Sequence, residues 1–247
     1  MGQDWSYEKR QVKASALGRV LDELDSTELL GINLTLPLKQ AAFQYTSSNS
    51  PEATAIGAIN CLRRSPQGWQ GHNTDGPGWL DSWQEEIGQP LQGRPALVLG
   101  AGGACKAILA VLRQSQVASI TLFNRTPEKA AALLRDGESL AAWTPEAFLE
   151  HLKSDTVVVQ TTSVGMWPHV QETPLPWPDT LPEGVVACDL IYNPRPTLWL
   201  EQARQLGAKT LDGCGMLVHQ AARAIEWWSG VRPPTAPMRQ ALLESLQ

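Results

Sequence analysis

Leu97-Val98-Leu99-Gly100-Ala101-Gly102-Gly103-Ala104-Cys105-Lys106 decides the fold. An apolar run enters a glycine-rich turn, and helical spacing follows over residues 102–113. Glycines in such a turn let backbone N–H groups come close to a pyrophosphate, and the helix N-terminus adds partial positive charge. Cys105 stands where the dinucleotide-binding pattern carries Gly or Ala, and a small thiol fits there. An ordinary strand-to-helix turn can carry the same letters, so the flanking sequence has to decide.

Downstream, the alternation continues. Pro95–Leu99 reads as a buried strand and 118–123 as the next, with helices over 102–113 and 127–134. Thr126-Pro127-Glu128 and Thr144-Pro145-Glu146 read as N-caps with proline at the first helical position. Further strands fit 156–160, 185–190 and 208–211, and a weaker one 139–143. A helix over 197–206 ends at Gly207. Strands alternating with helices imply right-handed crossovers and a parallel sheet, and six strands is the number a complete dinucleotide-binding sheet uses. Residues 168–182, with five prolines, read as a loop.

The second strand of this series ends Leu122-Phe123-Asn124-Arg125-Thr126, about twenty residues past the glycines. Enzymes that use NAD carry an acidic residue there for the ribose 2′-hydroxyl. This chain has Asn124 and Arg125, with Lys129 nearby. A guanidinium matches a 2′-phosphate bidentately, whereas a carboxylate would repel it. A solvated surface arginine is the bland alternative, but position favours NADP over NAD.

Upstream, residues 5–12 alternate weakly and suggest a strand. Residues 14–24 place Leu17, Val20, Leu21 and Leu24 on one helical face. Residues 29–34 read as a short strand, and Pro37 as the opening of a helix through Tyr45. Residues 58–63 and 69–73 read as a hairpin across Ser65-Pro66-Gln67-Gly68. A helix at 76–87 carries the domain boundary. Residues 216–228 form another amphipathic helix, and a last one lies near 237–246 beyond Pro233-Pro234. The expected class is therefore α/β, with a first α/β domain over 1–82, a doubly wound dinucleotide domain over 83–213, and C-terminal helices over 214–247. Those helices are expected to pack back on the first domain and make it discontinuous.

Composition excludes several functions. The chain has 247 residues, enough for two domains, and 43% apolar against 18% charged residues rules out a disordered chain. A net charge of −5 gives no reason to expect nucleic acid or an anionic membrane as partner. No stretch of eighteen apolar residues or signal-peptide core occurs, so no membrane partner is expected. The four cysteines lack any C-x-x-C pair and read as reduced thiols of a cytoplasmic protein. With only four histidines beside them, no metal site is expected. Ten tryptophans are spread along the chain and read as packing.

Polar clusters fall at strand ends. Gly31-Ile32-Asn33-Leu34-Thr35-Leu36-Pro37-Leu38-Lys39 puts a lysine one short turn past a strand, and Pro37 fixes the backbone before it. Gly57-Ala58-Ile59-Asn60 and Gly71-His72-Asn73-Thr74-Asp75-Gly76 supply an amide and a carboxylate at the hairpin ends. A lone loop lysine is more often a solvated charge, but three clusters of this kind suggest a site.

These segments resemble the shikimate dehydrogenase family. The resemblance rests on Asn-Leu-Thr-Leu-Pro-Leu-Lys (33–39), Ile-Gly-Ala-Ile-Asn (56–60), Asn-Thr-Asp-Gly (73–76), Gly-Ala-Gly-Gly-Ala (100–104), Asn-Arg-Thr (124–126), Asp-Leu-Ile-Tyr-Asn-Pro (189–194) and Gly-Met-Leu-Val-His-Gln-Ala-Ala (215–222). Their order and spacing run from near Trp5 to the C-terminus. The resemblance implies a substrate domain beside a Rossmann-type NADP-binding domain. It implies a cytoplasmic NADP-dependent oxidoreductase that reversibly reduces 3-dehydroshikimate to shikimate, in chorismate and aromatic amino-acid biosynthesis. A homodimer is compatible with it.

Residue by residue, the resemblance implies Lys39 and Asp75 as the catalytic pair. Hydride arriving at a carbonyl leaves negative charge on oxygen, which an ammonium can stabilise and protonate. Thr35, Lys39, Asn60, Asp75, Tyr192 and Gln220 are implied as substrate contacts. Gly100, Ala101, Gly102, Gly103, Ala104, Asn124, Arg125, Thr126, Lys129, Thr162, Leu190 and Gly213 are implied as cofactor contacts. Gln160 replaces the asparagine usual before Thr161-Thr162, and little effect is expected. His72 and His219 read as neighbouring filler.

The chain departs from the family at its start. The family opens with a strand and a Leu-Ser-x-Ser-Pro loop whose serines hold the substrate carboxylate, and nothing before Trp5 matches them. On this reading the natural protein is longer. Two lost hydrogen bonds to a charged group, roughly 1.5–3 kcal/mol each, would weaken substrate binding about a hundredfold or more. Two other readings stay open: a relative acting on quinate or another polyol acid, and a non-catalytic NADP-binding remnant. Intact Lys39, Asn60 and Asp75 argue against the remnant.

Overall fold

The computed structural model describes residues 4–24 and 29–246. In chain order the elements begin with a 3-10 turn, Ala14–Ala16, leading into α1 (Leu17–Leu24) and β1 (Ile32–Asn33). Then come α2 (Leu38–Ala41), a second 3-10 turn (Ala42–Tyr45), β2 (Ser48–Asn49), α3 (Pro51–Ile56), β3 (Cys61–Ser65) and β4 (Gly68–His72). The following stretch holds α4 (Asp75–Glu86), β5 (Pro95–Leu99), α5 (Gly103–Gln114), β6 (Ser119–Phe123), α6 (Pro127–Ala131), β7 (Ser139–Ala141) and α7 (Pro145–His151). Last are β8 (Val157–Gln160), β9 (Val186–Asp189), α8 (Leu198–Gln205), β10 (Lys209–Leu211), α9 (Gly213–Ser229) and α10 (Thr235–Ser245). Two compact units share them: Met1–Thr74 with Gln220–Thr235, and Asp75–His219 with Ala236–Gln247.

In the second unit the strands are short and apolar because helices cover both faces of the sheet. Its six strands run in the order β10-β9-β8-β5-β6-β7 and pair in parallel throughout. Side chains alternate across the sheet, so each strand feeds two cores. Ala96, Val98, Val157, Val159, Val186 and Cys188 pack with Trp79 and Trp83 of α4 and Ile108 and Leu112 of α5. Leu97, Leu99, Val158 and Ala187 pack with Phe148 of α7 and Trp199 and Leu200 of α8. All four cysteines of the chain are free and buried.

The first unit is a four-stranded sheet in the order β1-β3-β4-β2. β3 and β4 form an antiparallel hairpin, with β1 antiparallel on β3 and β2 parallel on β4. Its core joins Leu17 and Leu21 of α1 to Leu34, Leu38, Ile59, Leu62 and Trp69. The 220–229 half of α9 packs on the hairpin. The Trp228 indole N–H donates to the Leu62 carbonyl at 3.0 Å, and the Arg63 guanidinium lies 4.5 Å over Trp227.

Several elements differ from the sequence reading. The strand expected over 5–12 does not form; Trp5 and Tyr7 are exposed, so the alternation has no face to bury. The helix after Pro37 tightens into a 3-10 turn at Ala42, and α6 stops at Ala131. Thr144 accepts from the Ala147 N–H, as an N-cap should, whereas the Thr126 side chain makes no such bond. β2 and α3 were not foreseen. Ser50 caps α3 by accepting from the Ala53 N–H, with Pro51 at the first helical position.

One buried charge makes stability depend on pH. Asp189 ends β9 nearly inaccessible; its carboxylate accepts from the Ile191 N–H at 3.0 Å and the Thr197 hydroxyl at 2.8 Å. Burial pushes its carboxyl up to about 7, Asp212 adds to the rise, and the two hydrogen bonds oppose it. A folded-state value above the unfolded value of about 4 means the folded state binds the extra proton. Stability from this group is therefore complete below about pH 4 and lost as pH rises through about 7. Urea denaturation of the wild type and Asp189→Asn across that window should show the variant gaining relative stability as pH rises. Parallel pH profiles would contradict this.

Candidate active site

The carboxyl end of the six-stranded sheet is held together by its own backbone. The Gly100 N–H donates to the Phe123 carbonyl at 2.7 Å, and the Thr161 N–H and hydroxyl both donate to the Leu99 carbonyl at 2.8 Å. Thus the turn after β5 is pinned to the ends of β6 and β8. Gly100 has φ +107°, and a Cβ there would come within 2.7 Å of Thr162 Cγ2. Gly102 opens α5 with no side-chain cap, and a Cβ built on it meets nothing within 4 Å. The first N–H groups of a helix without a side-chain cap can donate to an anion such as a pyrophosphate.

The neighbouring turns continue this edge in both directions. After β6, the Asn124 amide donates to the Thr126 carbonyl at 2.7 Å and shapes a turn on which Arg125 and Lys129 are exposed. Such a turn can hold a phosphate. On the other side, the Leu190 N–H donates to the Gln160 carbonyl at 3.1 Å and the Gly213 N–H to the Ile191 carbonyl at 3.0 Å. A Cβ at Gly213 would come within 2.2 Å of the Leu190 carbonyl oxygen, so only glycine permits this approach. All the residues expected to contact the cofactor therefore lie on this edge or at the start of α9.

Gln160 does more than the sequence suggests. It is fully buried; its amide donates to the Val164 carbonyl at 2.9 Å and accepts from the Thr162 N–H at 2.5 Å. The loop after β8 is built around this side chain. The signal was one polar residue closing the apolar strand Val157–Gln160.

In the first unit the expected site residues gather around Asn60, which is 2% exposed. Its amide nitrogen donates to the Thr74 hydroxyl at 2.9 Å and reaches Gln220 Oε1 at 3.5 Å, while its amide oxygen accepts the Thr74 N–H at 2.9 Å. The backbone on either side is fixed as well. The Ile59 N–H donates to the Lys39 carbonyl, the Leu34 N–H to the Asn60 carbonyl, and the Asn60 N–H to the His72 carbonyl. Asn73, fully buried, donates to the Ala58 carbonyl at 2.8 Å. Thr35 is exposed, and its carbonyl starts the turn to Lys39 by accepting from the Leu38 N–H. Lys39, Asn60 and Gln220 thus share one neighbourhood in this unit. Asp75 follows Thr74 directly and is the first residue of α4. Asp75 and the exposed Tyr192 belong to the second unit.

The two histidines are tied into structure. His72 Nδ1 lies 2.7 Å from the Ser50 hydroxyl and its ring packs on Trp227; burial lowers its pKa and favours the neutral ring. His219 Nε2 lies 2.5 Å from Glu85, whose carboxyl this bond holds below the ordinary range. Among the described residues no group of three or more His, Cys, Asp or Glu side chains could hold a metal ion. No helix among them is long and apolar enough to cross a membrane.

Comparison with known proteins agrees across the chain. Residues 1–62 match the family described as the shikimate dehydrogenase substrate binding domain, 83–167 the shikimate/quinate 5-dehydrogenase family, and 213–243 the shikimate 5′-dehydrogenase C-terminal domain. The NADP(+) shikimate dehydrogenase of Bacillus licheniformis is 38% identical over 242 residues, covering 97% of this chain and 86% of the relative. The Thermus thermophilus shikimate 5-dehydrogenase, solved with NADP(H) and shikimate, superposes with a TM-score of 0.82 at 36% identity, covering 95% of this chain and 86% of that one. A 5-ketofructose reductase from Gluconobacter superposes with a TM-score of 0.80 at 31% identity, covering 96% and 86%.

The close approach at Gly100 can be tested without any ligand. Gly100→Ala forces a left-handed backbone and a methyl group against Thr162, and should lower stability by at least about 2 kcal/mol in urea denaturation. A loss below about 0.5 kcal/mol would show that the turn has another conformation available.

Proposed function

The chain belongs to the shikimate dehydrogenase family, and we propose that it interconverts 3-dehydroshikimate and shikimate by NADP-linked hydride transfer. The observation that carries this reading is the buried Asn60 amide, which ties the Lys39 loop to the peptide leading into Asp75. Arg125, Lys129 and the glycine turn fit NADP: a guanidinium and an ammonium for the 2′-phosphate, and the N-terminus of α5 for the pyrophosphate. NADP, when bound, supplies the hydride acceptor for the alcohol and the donor for the ketone.

The chain's own residues do the remaining work. In the reducing direction the carbonyl oxygen gains charge as its carbon becomes tetrahedral. The Lys39 ammonium donates a hydrogen bond to that oxygen and then its proton, and recovers the proton from water. Asp75 accepts from a substrate hydroxyl, which fixes the ring. Asn60 and Gln220 present amides to neighbouring hydroxyls, with Thr35 and Tyr192 as further contacts. In the oxidising direction the neutral amine takes up the hydroxyl proton. We place the reaction in the cytoplasm, in keeping with four free buried thiols. The likeness to a 5-ketofructose reductase makes the polyol the point to vary, so quinate belongs beside shikimate in any assay.

Lys39→Ala should lower kcat for NADP-dependent oxidation of shikimate by roughly 10²–10⁴-fold while changing the NADP dissociation constant by no more than about twofold. An unchanged kcat, or a loss that tracks cofactor binding alone, would remove Lys39 from the chemistry. Turnover of quinate but not shikimate by the wild type would move the substrate assignment.

A further inference from the structure

Among the described residues the second unit exposes four large apolar side chains, and three of them sit on two joined loops. Leu149 is on α7. Met166 (44% exposed) and Trp167 (68%) follow β8, and Tyr192 (42%) follows β9. The loops are joined where the Trp167 N–H donates to the Asn193 carbonyl at 3.3 Å. Neither loop hangs loose: the Gln160 amide holds the first at Thr162 and Val164, and the Cys214 thiol lies 3.9 Å from the Tyr192 carbonyl. An indole held out in water on an anchored loop offers a flat apolar face on which an aromatic ring can stack.

Strand order says which ring that is. The glycine turn ends β5, and the Asn124–Arg125 turn ends β6 on one side of it. The β8 and β9 loops lie on the other side, one and two strands away, or about 5 and 10 Å at ordinary strand spacing. A dinucleotide with its pyrophosphate at the glycine turn and its adenosine phosphate at Arg125 must send its second nucleoside over β8 and β9. That nucleoside ends in a flat ring, which carries a positive charge when oxidised, and an indole face attracts both. We propose that Trp167 is the wall against which the nicotinamide ring of NADP stacks. This assignment rests on the reading of the chain as NADP-linked.

The test separates the two halves of the cofactor. Dissociation constants for NADP⁺ and for adenosine 2′,5′-bisphosphate, which lacks the nicotinamide half, are measured by calorimetry on the wild type, Trp167→Ala and Trp167→Phe. Trp167→Ala should weaken NADP⁺ about tenfold and leave the bisphosphate within about twofold, with Trp167→Phe recovering most of the loss. Equal weakening of both ligands, or of neither, overturns the assignment while leaving the proposed function standing. A wild type that binds neither ligand overturns the NADP reading and this inference with it.

Discussion

The buried side chain of Asn60 is the interaction on which the course of the first unit's loops depends. It accepts from a backbone N–H and donates to the hydroxyl of the same residue, Thr74, so one amide fixes both the position and the rotamer of its partner. Hydrogen bonds to buried groups matter chiefly through what their loss would strand, because a lone buried N–H costs about 1–3 kcal/mol. Around this amide the backbone leaves few alternatives: Ile59 binds Lys39, and Asn60 itself binds Leu34 and His72. The Lys39 loop and the peptide into Asp75 therefore have their courses set by one small network rather than by two independent loops.

The second unit solves a different problem by the same means. Its parallel sheet buries both faces, and the useful groups appear only where the strands stop. There, carbonyls of one strand end accept N–H groups from the next, from Phe123 to Gly100 and from Leu99 to Thr161. The glycines at 100 and 213 exist because neighbouring atoms stand where a Cβ would be. Gly102 differs: a Cβ built there meets nothing within 4 Å, and the first turn of α5 carries no side-chain cap.

Much of this was legible in the sequence because period and punctuation agree. The six parallel strands announce themselves by apolar runs such as Val157–Gln160, and Gly207 and Pro145 mark helix ends at the places the structure has them. Residues 5–12 misled because alternation implies a strand only where a sheet offers a partner and a core. β2 and α3 were missed because their short segments carry too few residues for a period to show. Among the candidate site residues, the sequence picks out Lys39, Asn60 and Gln220 by residue type and motif, and the structure brings them into one neighbourhood. Gln160 stands out only as a replacement of small expected effect, since its letter does not tell that its amide folds back on its own loop.

Native-state hydrogen exchange at the Thr74 amide tests the central claim most directly. In the wild type this amide should be protected, and Asn60→Ala should speed its exchange by at least about tenfold beyond any change in β5, with turnover falling alongside. Unchanged Thr74 protection in a variant that still turns over would mean that the Asn60 network does not hold the site.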